Sequence, residues 1–326
     1  MYRTIFAAVA DPRAPVQVAA AKAAEFARLA GGRVVLYHAT YDATLSGKPF
    51  FDSARLGRVR DSHLAAELEA LDAVAATLPA GLDVSTVVEW ARPVHEGVVR
   101  GCMRERADLV VAEPRFQRAR GRKTGFAHTD WELVRLCPVP LLLARATARY
   151  RKPQVLAAVD PLRATDKLST LDLHIVRVAR EFSEITQGRL RLLHCSTEPH
   201  VTPPVPFAVV ERQRARTRKL LERLLEEADL PRRALLQRSG VPADEIEAVV
   251  EAESIDVLVL GSMSRGRIGR LLLGSTAEKL LHAAVCDLLV VKPVAFRSPV
   301  TPARRGERGL LRGTPRVAGE TRTVHD

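Results

Sequence analysis

The amino-acid sequence predicts an α/β protein of two tandem, doubly wound units, each built on a mostly parallel five-stranded sheet. Two observations lead there. Short apolar runs alternate along the chain with longer segments whose apolar positions recur at helical spacing, the pattern of βαβ units joined by right-handed crossovers. The order of segments then begins again in the second half, with corresponding positions about 148 to 156 residues apart, so the chain is a tandem duplication.

Tyr2–Val9 reads as an apolar strand ending at Ala10-Asp11-Pro12. Val16, Ala19, Ala20, Ala23, Phe26, Ala27 and Ala30 keep one helical face, stopped by Gly31-Gly32, since glycine accepts the left-handed conformation that closes a helix. Arg33–His38 is a second strand. A polar stretch around Ser46–Phe51 leads to a long amphipathic helix over Arg55–Leu78. Strand Val84–Val88, helix Val94–Arg104 and strand Leu109–Ala112 follow. A loop with Arg118, Arg120, Arg122 and Lys123 precedes a helix over Asp130–Leu136 and a fifth strand at Val139–Ala144.

The second pass opens with Val155–Val159, where AAVDP echoes the earlier AAVADP. Leu168, Leu171, Ile175, Val178, Ala179 and Phe182 form a helical face, and Leu190–Cys195 gives RLLHC against VLYHA. A proline-rich loop, Glu198–Phe207, precedes a charged helix to about Ala228 and a weak strand at Leu235–Arg238. Pro242–Val250 is a helix opened by Pro, Asp and Glu. Ile255–Leu260 and Asp287–Val291 complete the second set of strands. The predicted divisions are a first domain over 1–146, a linker over 147–153, a second domain over 154–296 and a tail from Arg297. Rich in Pro, Gly and Arg and nearly aperiodic, the tail is expected to be disordered and basic.

At 326 residues, 47% hydrophobic and 27% charged, the chain is long enough for two globular domains. No apolar run approaches the ~18 residues of a membrane helix. The stretch Ile5–Ala10 is cut by Asp11 and Arg13, too early for a signal-peptide core, so the cytoplasm is the expected compartment. A formal charge of +12 attracts anions in general. With arginines scattered along every predicted helix and only 5% aromatic residues, nucleic acid is not expected as a partner. Cys102, Cys137, Cys195 and Cys286 form no CxxC and no metal-spaced cluster, which argues against zinc.

One stretch carries chemistry. The run Val257–Leu260 ends in Gly261, a loop bearing Arg265, Arg267 and Arg270 follows, and Gly274-Ser275-Thr276 opens a segment with Ala277, Leu280, Leu281 and Ala284 at helical spacing. First-turn amides of a helix lack intrahelical partners, hydroxyls add donors, and glycine lets an oxyanion approach the backbone, so a polyphosphate suits this place. Doubly wound sheets bind ligands beyond the carboxyl ends of their strands, which singles out Asp160, Cys195 and Gly261.

Gly261 and Gly274-Ser275 lie thirteen residues apart, and here the chain resembles the universal stress protein family, whose nucleotide-binding members carry Gly-x2-Gly-x9-Gly-(Ser/Thr). Ser264 stands at the second glycine, with Gly266 and Gly269 close behind. The resemblance spans nearly all of 1–295 as two tandem domains of the UspE-like kind: the second half has GSTAEKLLHAAVCDLLVVKP, and the first has HTDWELVRLCPVPLLLA, with Thr-Asp-Trp instead of the Gly-Ser opening. It implies two adenine nucleotide alpha hydrolase-like units related by a pseudo-two-fold. It also implies ATP or a related nucleotide in the second domain, and allows Mg with it. Val159 and Asp160 would lie beside the adenine, and the backbone of Cys195 would face the same ring. Gly261 and Ser264 would sit under the ribose and phosphates, and Gly274, Ser275 and Thr276 on phosphate oxygens. Without the resemblance, Asp160 also reads as an N-cap or Asx-turn before the first helix, and Ser275 and Thr276 as helix caps.

The first half departs from the family pattern. Ala10 stands where the strand-end aspartate belongs, Glu113-Pro114 replaces the first glycine, Ala127-His128 replaces Gly-Ser, and Trp131 enters the helix start. A Glu113 carboxylate would repel phosphate, so this half is not expected to bind ATP. His128 and Asp130 have no Ser or Cys placed as a nucleophile, and Asp130 reads as a cap. Single-domain members of the family dimerise through the fifth-strand edge. Leu141–Leu143 and Leu288–Val290 are therefore expected to pair within one chain as a pseudo-dimer, with a homodimer of that unit also open.

The function expected is a stress-response protein, without enzymatic activity or with slow ATP hydrolysis, whose first domain serves structure or contacts with a protein partner. The alternative is a nucleotide-independent scaffold holding an apolar or acidic small ligand beneath Glu198–Phe207. Neither a P-loop nor an acidic metal pair stands by the glycine-rich loop, which argues against a kinase or an efficient hydrolase.

Overall fold

The computed structural model describes residues 2–46, 53–114, 116–119, 122–126, 128–147, 149–161, 170–196, 207–262, 275–283, 285–301, 309–313 and 316–317. It divides into two units, Met1–Arg149 together with Arg297–Asp326, and Tyr150–Phe296.

The first unit runs β1 (Thr4–Ala8), α1 (Val18–Ala30), β2 (Arg33–Thr40), α2 (Ser53–Ala76), β3 (Asp83–Trp90), α3 (Val94–Arg104) and β4 (Leu109–Ala112). A hairpin of β5 (Phe116–Ala119) and β6 (Arg122–Phe126) leads to α4 (His128–Leu136) and β7 (Leu141–Leu143). Its sheet has the order β7-β4-β1-β2-β3, every neighbouring pair parallel. All five residues of β1 are buried, as expected of a strand in a parallel sheet covered on both faces. Helix α1 closes at Gly31 in the left-handed conformation, with φ of 68°.

Helix α3 lies close on β2 because two of its residues lack side chains. A Cβ on Gly101 would stand 2.6 Å from the Tyr37 ring, and one on Gly97 would stand 2.4 Å from the Ala91 Cβ. The Tyr37 hydroxyl lies 2.8 Å from both Glu89 Oε2 and the Gly97 carbonyl oxygen, so one proton serves two acceptors. Arg104 donates to the same Glu89 oxygen at 2.8 Å, which compensates a carboxylate that would be costly to bury alone.

The second unit runs β8 (Gln154–Ala158), α5 (Thr170–Thr186), β9 (Arg189–Ser196), α6 (Phe207–Ala228), β10 (Leu235–Ser239), α7 (Pro242–Ala252), β11 (Val257–Gly261), α8 (Ser275–Ala283) and β12 (Asp287–Val291). Its order is β10-β9-β8-β11-β12, again all parallel. Strand for strand, this is the winding of the first unit. In both, the direction of winding reverses beside the first strand, between β1 and β4 and between β8 and β11.

Two expectations are corrected. The Arg118–Lys123 loop belongs to the antiparallel β5–β6 hairpin, whose register shifts between Gln117 and Arg118. Within the expected linker, Tyr150 is held by the second unit: its hydroxyl lies 2.6 Å from Asp287 Oδ2 and its ring packs edge-on against Phe182. Part of the tail is ordered into strands. β13 (Leu310–Arg312) and β14 (Arg316–Val317) pair antiparallel with β3 and extend the first sheet. An edge strand offers unpaired peptide groups to any extended segment, so this pairing needs no apolar periodicity. Among the described residues, no helix is long and apolar enough to cross a membrane, and no group of three or more His, Cys, Asp or Glu could hold a metal ion.

Candidate functional site

The carboxyl ends of β8 and β9 bring Val159, Asp160 and Cys195 together. The Val159 amide donates to the Leu193 carbonyl at 2.9 Å, carrying the ladder one residue past β8. Asp160 is half-buried, and its amide donates to Asp172 Oδ1 of α5 at 3.0 Å. Its place is therefore a strand end tied to a buried carboxylate of α5. Burial pushes the Cys195 thiol up to about 11, and the carboxylates of Glu245 and Asp160 push in the same direction while Arg238 opposes them. Glu245, Arg238 and Asp160 thus all act on Cys195, so this strand end carries charges of both signs.

Gly261 ends β11, the strand beside β8. A Cβ there would come 2.8 Å from Ile175 Cδ1 and 2.9 Å from Leu171 Cδ2, so packing of α5 is one reason for this glycine. Thr276 is half-buried in the first turn of α8, and Ser275 is the first residue of that helix. Ser264 and Gly274, with the arginines of their loop and most of Glu198–Phe207, lie outside the described residues.

Two residues that the sequence analysis passed over stand at the same end of the sheet. Lys292, just beyond β12, is buried, donates to the buried Ser262 Oγ at 2.9 Å and lies 5.0 Å from the Phe296 ring centre. A lysine closing the apolar run DLLVV was its signal. His194, next to Cys195, is 4% exposed. Its Nδ1 lies 3.2 Å from the Val159 carbonyl oxygen, while its Nε2 is buried without a hydrogen-bond partner. The echo of RLLHC with VLYHA was its signal, there used as a mark of the repeat.

The first unit has the same histidine in a different setting. His38 Nδ1 lies 2.9 Å from the Val9 carbonyl oxygen, the counterpart of the Val159 contact. Its Nε2 faces Glu67 Oε2 of α2 at 3.7 Å. Arg13 pins that carboxylate at 2.6 Å, and His63, 4.0 Å from Glu67, meets Thr40 Oγ1 at 3.1 Å. The strand end of this copy is filled by its own side chains. On the buried face of α6, Thr217 takes the place of Glu67: each is followed four residues later by a buried leucine, Leu221 or Leu71. Thr217 Oγ1 donates to its own helix, to the Gln213 carbonyl at 2.9 Å.

Elsewhere in the first unit, Asp130 is buried inside the first turn of α4 and not at its cap, where a carboxylate still favours the helix dipole. His128 is exposed, 4.0 Å from Glu132, with its ring 5.7 Å from that of His95.

The model of the universal stress protein family matches the chain over residues 1–145 and again over 155–292. The chain is 25% identical over 233 residues to universal stress protein E of Escherichia coli (strain K12), covering 68% of this chain and 72% of that protein. Among solved structures, a functionally unknown protein from Pseudomonas aeruginosa PAO1 superimposes with a TM-score of 0.67 at 22% identity, over 90% of this chain and 93% of that one. A universal stress protein from Archaeoglobus fulgidus DSM 4304 gives 0.58 at 14% identity, over 89% and 98%. Those two likenesses concern the fold. With one family matched twice in tandem, over most of both units, the chain belongs to the universal stress protein family as a tandem, UspE-like member.

Proposed function

We propose that this chain is a stress-response protein that binds ATP or a related nucleotide in its second unit, without a dedicated catalytic centre, and that its first unit serves structure or partner contacts. The observation that carries the reading is the contrast between two equivalent histidines. In the first unit the outer nitrogen of His38 is met by Glu67 and the surrounding space is occupied by Arg13 and His63. In the second, the outer nitrogen of His194 is buried and unpaired beside the strand end. A buried polar atom without a partner costs about 1–3 kcal/mol, which a ligand or a trapped water would recover.

The residues fit a nucleotide in one direction. Asp160 offers the β8–β9 end a carboxylate acceptor that suits hydrogen-bond donors, such as the amino group of an adenine held between Val159, Asp160 and the Cys195 backbone. The phosphates would lie toward β11 and α8, with Gly261 and Ser264 beneath them, Gly274, Ser275 and Thr276 donating, and Mg as the accompanying cation. Lys292 lies at that same end of the sheet.

Isothermal titration of the full chain with ATP, with and without Mg, tests the reading. Saturable binding that Gly274→Trp abolishes is the expected result. No heat and no thermal shift at millimolar nucleotide, with folded protein, removes the nucleotide. Turnover faster than ~1 per second, the low end for ordinary enzymes, removes the non-enzymatic part. Native mass spectrometry finding an apolar co-purified mass instead of a nucleotide supports the scaffold alternative.

A further inference from the structure

The C-terminal segment sits on the outer edge of β3 with more selectivity than a chance contact requires. Leu310, Leu311 and Arg312 run antiparallel to Glu89, Val88 and Val87, and Arg316 and Val317 to Val84 and Asp83. The Trp90 amide donates to the Gly309 carbonyl at 2.7 Å, and the Gly313 amide donates to the Thr86 carbonyl at 3.0 Å. Three features of the edge read the segment. It takes extended backbone. It excludes a side chain at position 313, where a Cβ would stand 2.1 Å from Thr86 Oγ1 and 2.7 Å from Asp72 Oδ1, two atoms already joined by a 2.7 Å hydrogen bond. It also takes a guanidinium at 312, which donates at 2.5 Å to Glu105, a buried carboxylate that Arg33 and Arg104 also approach. Gly309 adds a fourth: its φ of 124° brings it against Trp90, where its own Cβ would stand 3.1 Å from the Trp90 Cβ.

Among the described residues five pair with β3, with Leu310 and Leu311 half-exposed and Arg312 exposed, so little apolar burial fastens them to the edge. Strand addition draws its affinity from main-chain hydrogen bonds and its specificity from side-chain positions, and both are present here.

We propose that the outer edge of β3 is a reversible strand-docking site selective for an extended Gly-apolar-apolar-Arg-Gly segment. Its resident is residues 309–313 and 316–317 of the same chain, and the partner it fits, when the resident lets go, is the same segment of a second copy. A second copy offers identical contacts, so exchange of the strand costs little beyond association itself. The vacated edge would otherwise present unpaired peptide groups to any chain nearby.

The test uses the full chain with a protease recognition sequence placed within residues 302–308. After cleavage the segment is expected to stay with the protein on gel filtration and to be displaced by excess fluorescent peptide 306–320. A peptide carrying Gly313→Val should fail to displace it, and one carrying Arg312→Ala should need roughly tenfold more, the scale of one charge-assisted hydrogen bond. Loss of the segment on cleavage, with circular dichroism unchanged, overturns the proposal, as does equal displacement by the Gly313→Val peptide. Tagged and untagged intact chains mixed at high concentration should form mixed dimers that excess free peptide dissolves. Dimers indifferent to the peptide, or no dimers where peptide exchange has been seen, overturn the second-copy part.

Discussion

Cys195 and His38 occupy neighbouring positions in the two copies of one strand end, and burial moves each away from its charged form. For Cys195 the thiol rises from 9.0 to about 11, first by desolvation and then by Glu245, so the thiolate fraction at neutral pH falls by about a hundredfold. Alkylation by iodoacetamide near pH 8 should therefore lag an exposed thiol by at least ~10-fold, read from the Cys195 peptide by mass spectrometry; labelling as fast as a free thiol would show that the thiol is not withdrawn from water as described. For His38 burial lowers the pKa below its ordinary ~6.5, against the opposing pull of the Val9 carbonyl and Glu67. The unfolded chain then binds the proton more readily than the folded one. Stability is full above that range and falls as the pH drops through about 6.5 toward the folded value. Urea midpoints at pH 7 and pH 5.5 should show that fall, and His38→Gln should flatten part of it. His95, also lowered by burial, contributes with the same sign, so some slope remains. A midpoint that rises on acidification would mean that the Glu67 carboxylate outweighs burial.

At the scale of elements, glycine divides into positions that packing forbids filling and positions it leaves open. Gly101→Val should cost about 1–3 kcal/mol in urea unfolding, because its new atoms would enter the Tyr37 ring. Gly57→Ala, inside α2 with nothing within 4 Å of the added Cβ, should instead stabilise by about 0.5–1 kcal/mol; equal effects would contradict the helix packing described. The sequence shows the strands and helices of both sheets because buried parallel strands are unbroken apolar runs and the helices keep one apolar face, as in β1 and α1. It hides β5, β6, β13 and β14. The strand residues Arg118, Arg122, Lys123 and Arg312 give no apolar signal, and what orders them is main-chain pairing with a partner that in β13 lies more than two hundred positions away. The site divides the same way. Asp160 and Cys195 are legible as strand ends, whereas the significance of His194 depends on Glu67 being absent from the equivalent helix, which only the buried faces of α2 and α6 reveal.

Over the whole molecule, the two copies differ in how their strand ends are filled, and on the proposed reading they would then differ in what they ask of a ligand. Arg13, His38 and His63 gather around Glu67 in the first unit, so a nucleotide entering there would have to displace these side chains and break the Arg13–Glu67 ion pair, with Glu113 nearby in sequence as a further charge against phosphate. The second unit demands no such exchange at His194, and Thr217 has turned its hydroxyl back on its own helix. The expected stoichiometry is therefore one nucleotide per chain. A ligand that binds only the folded state adds RT ln(1 + [L]/Kd), about 2.7 kcal/mol at a hundredfold excess over Kd, and it adds it where it binds. Hydrogen exchange with and without ATP should show slower exchange at the ends of β8, β9 and β11 and unchanged exchange at β1 and β2. The variant Thr217→Glu, which would place a carboxylate at the helix position that Glu67 holds in the first unit, should weaken binding by at least about tenfold, because it fills the strand end and sets a negative charge against an anionic ligand. Two nucleotides per chain, or protection spread equally over β1 and β8, would show that the filled strand end of the first unit is no barrier, and the contrast between the histidines would lose its meaning.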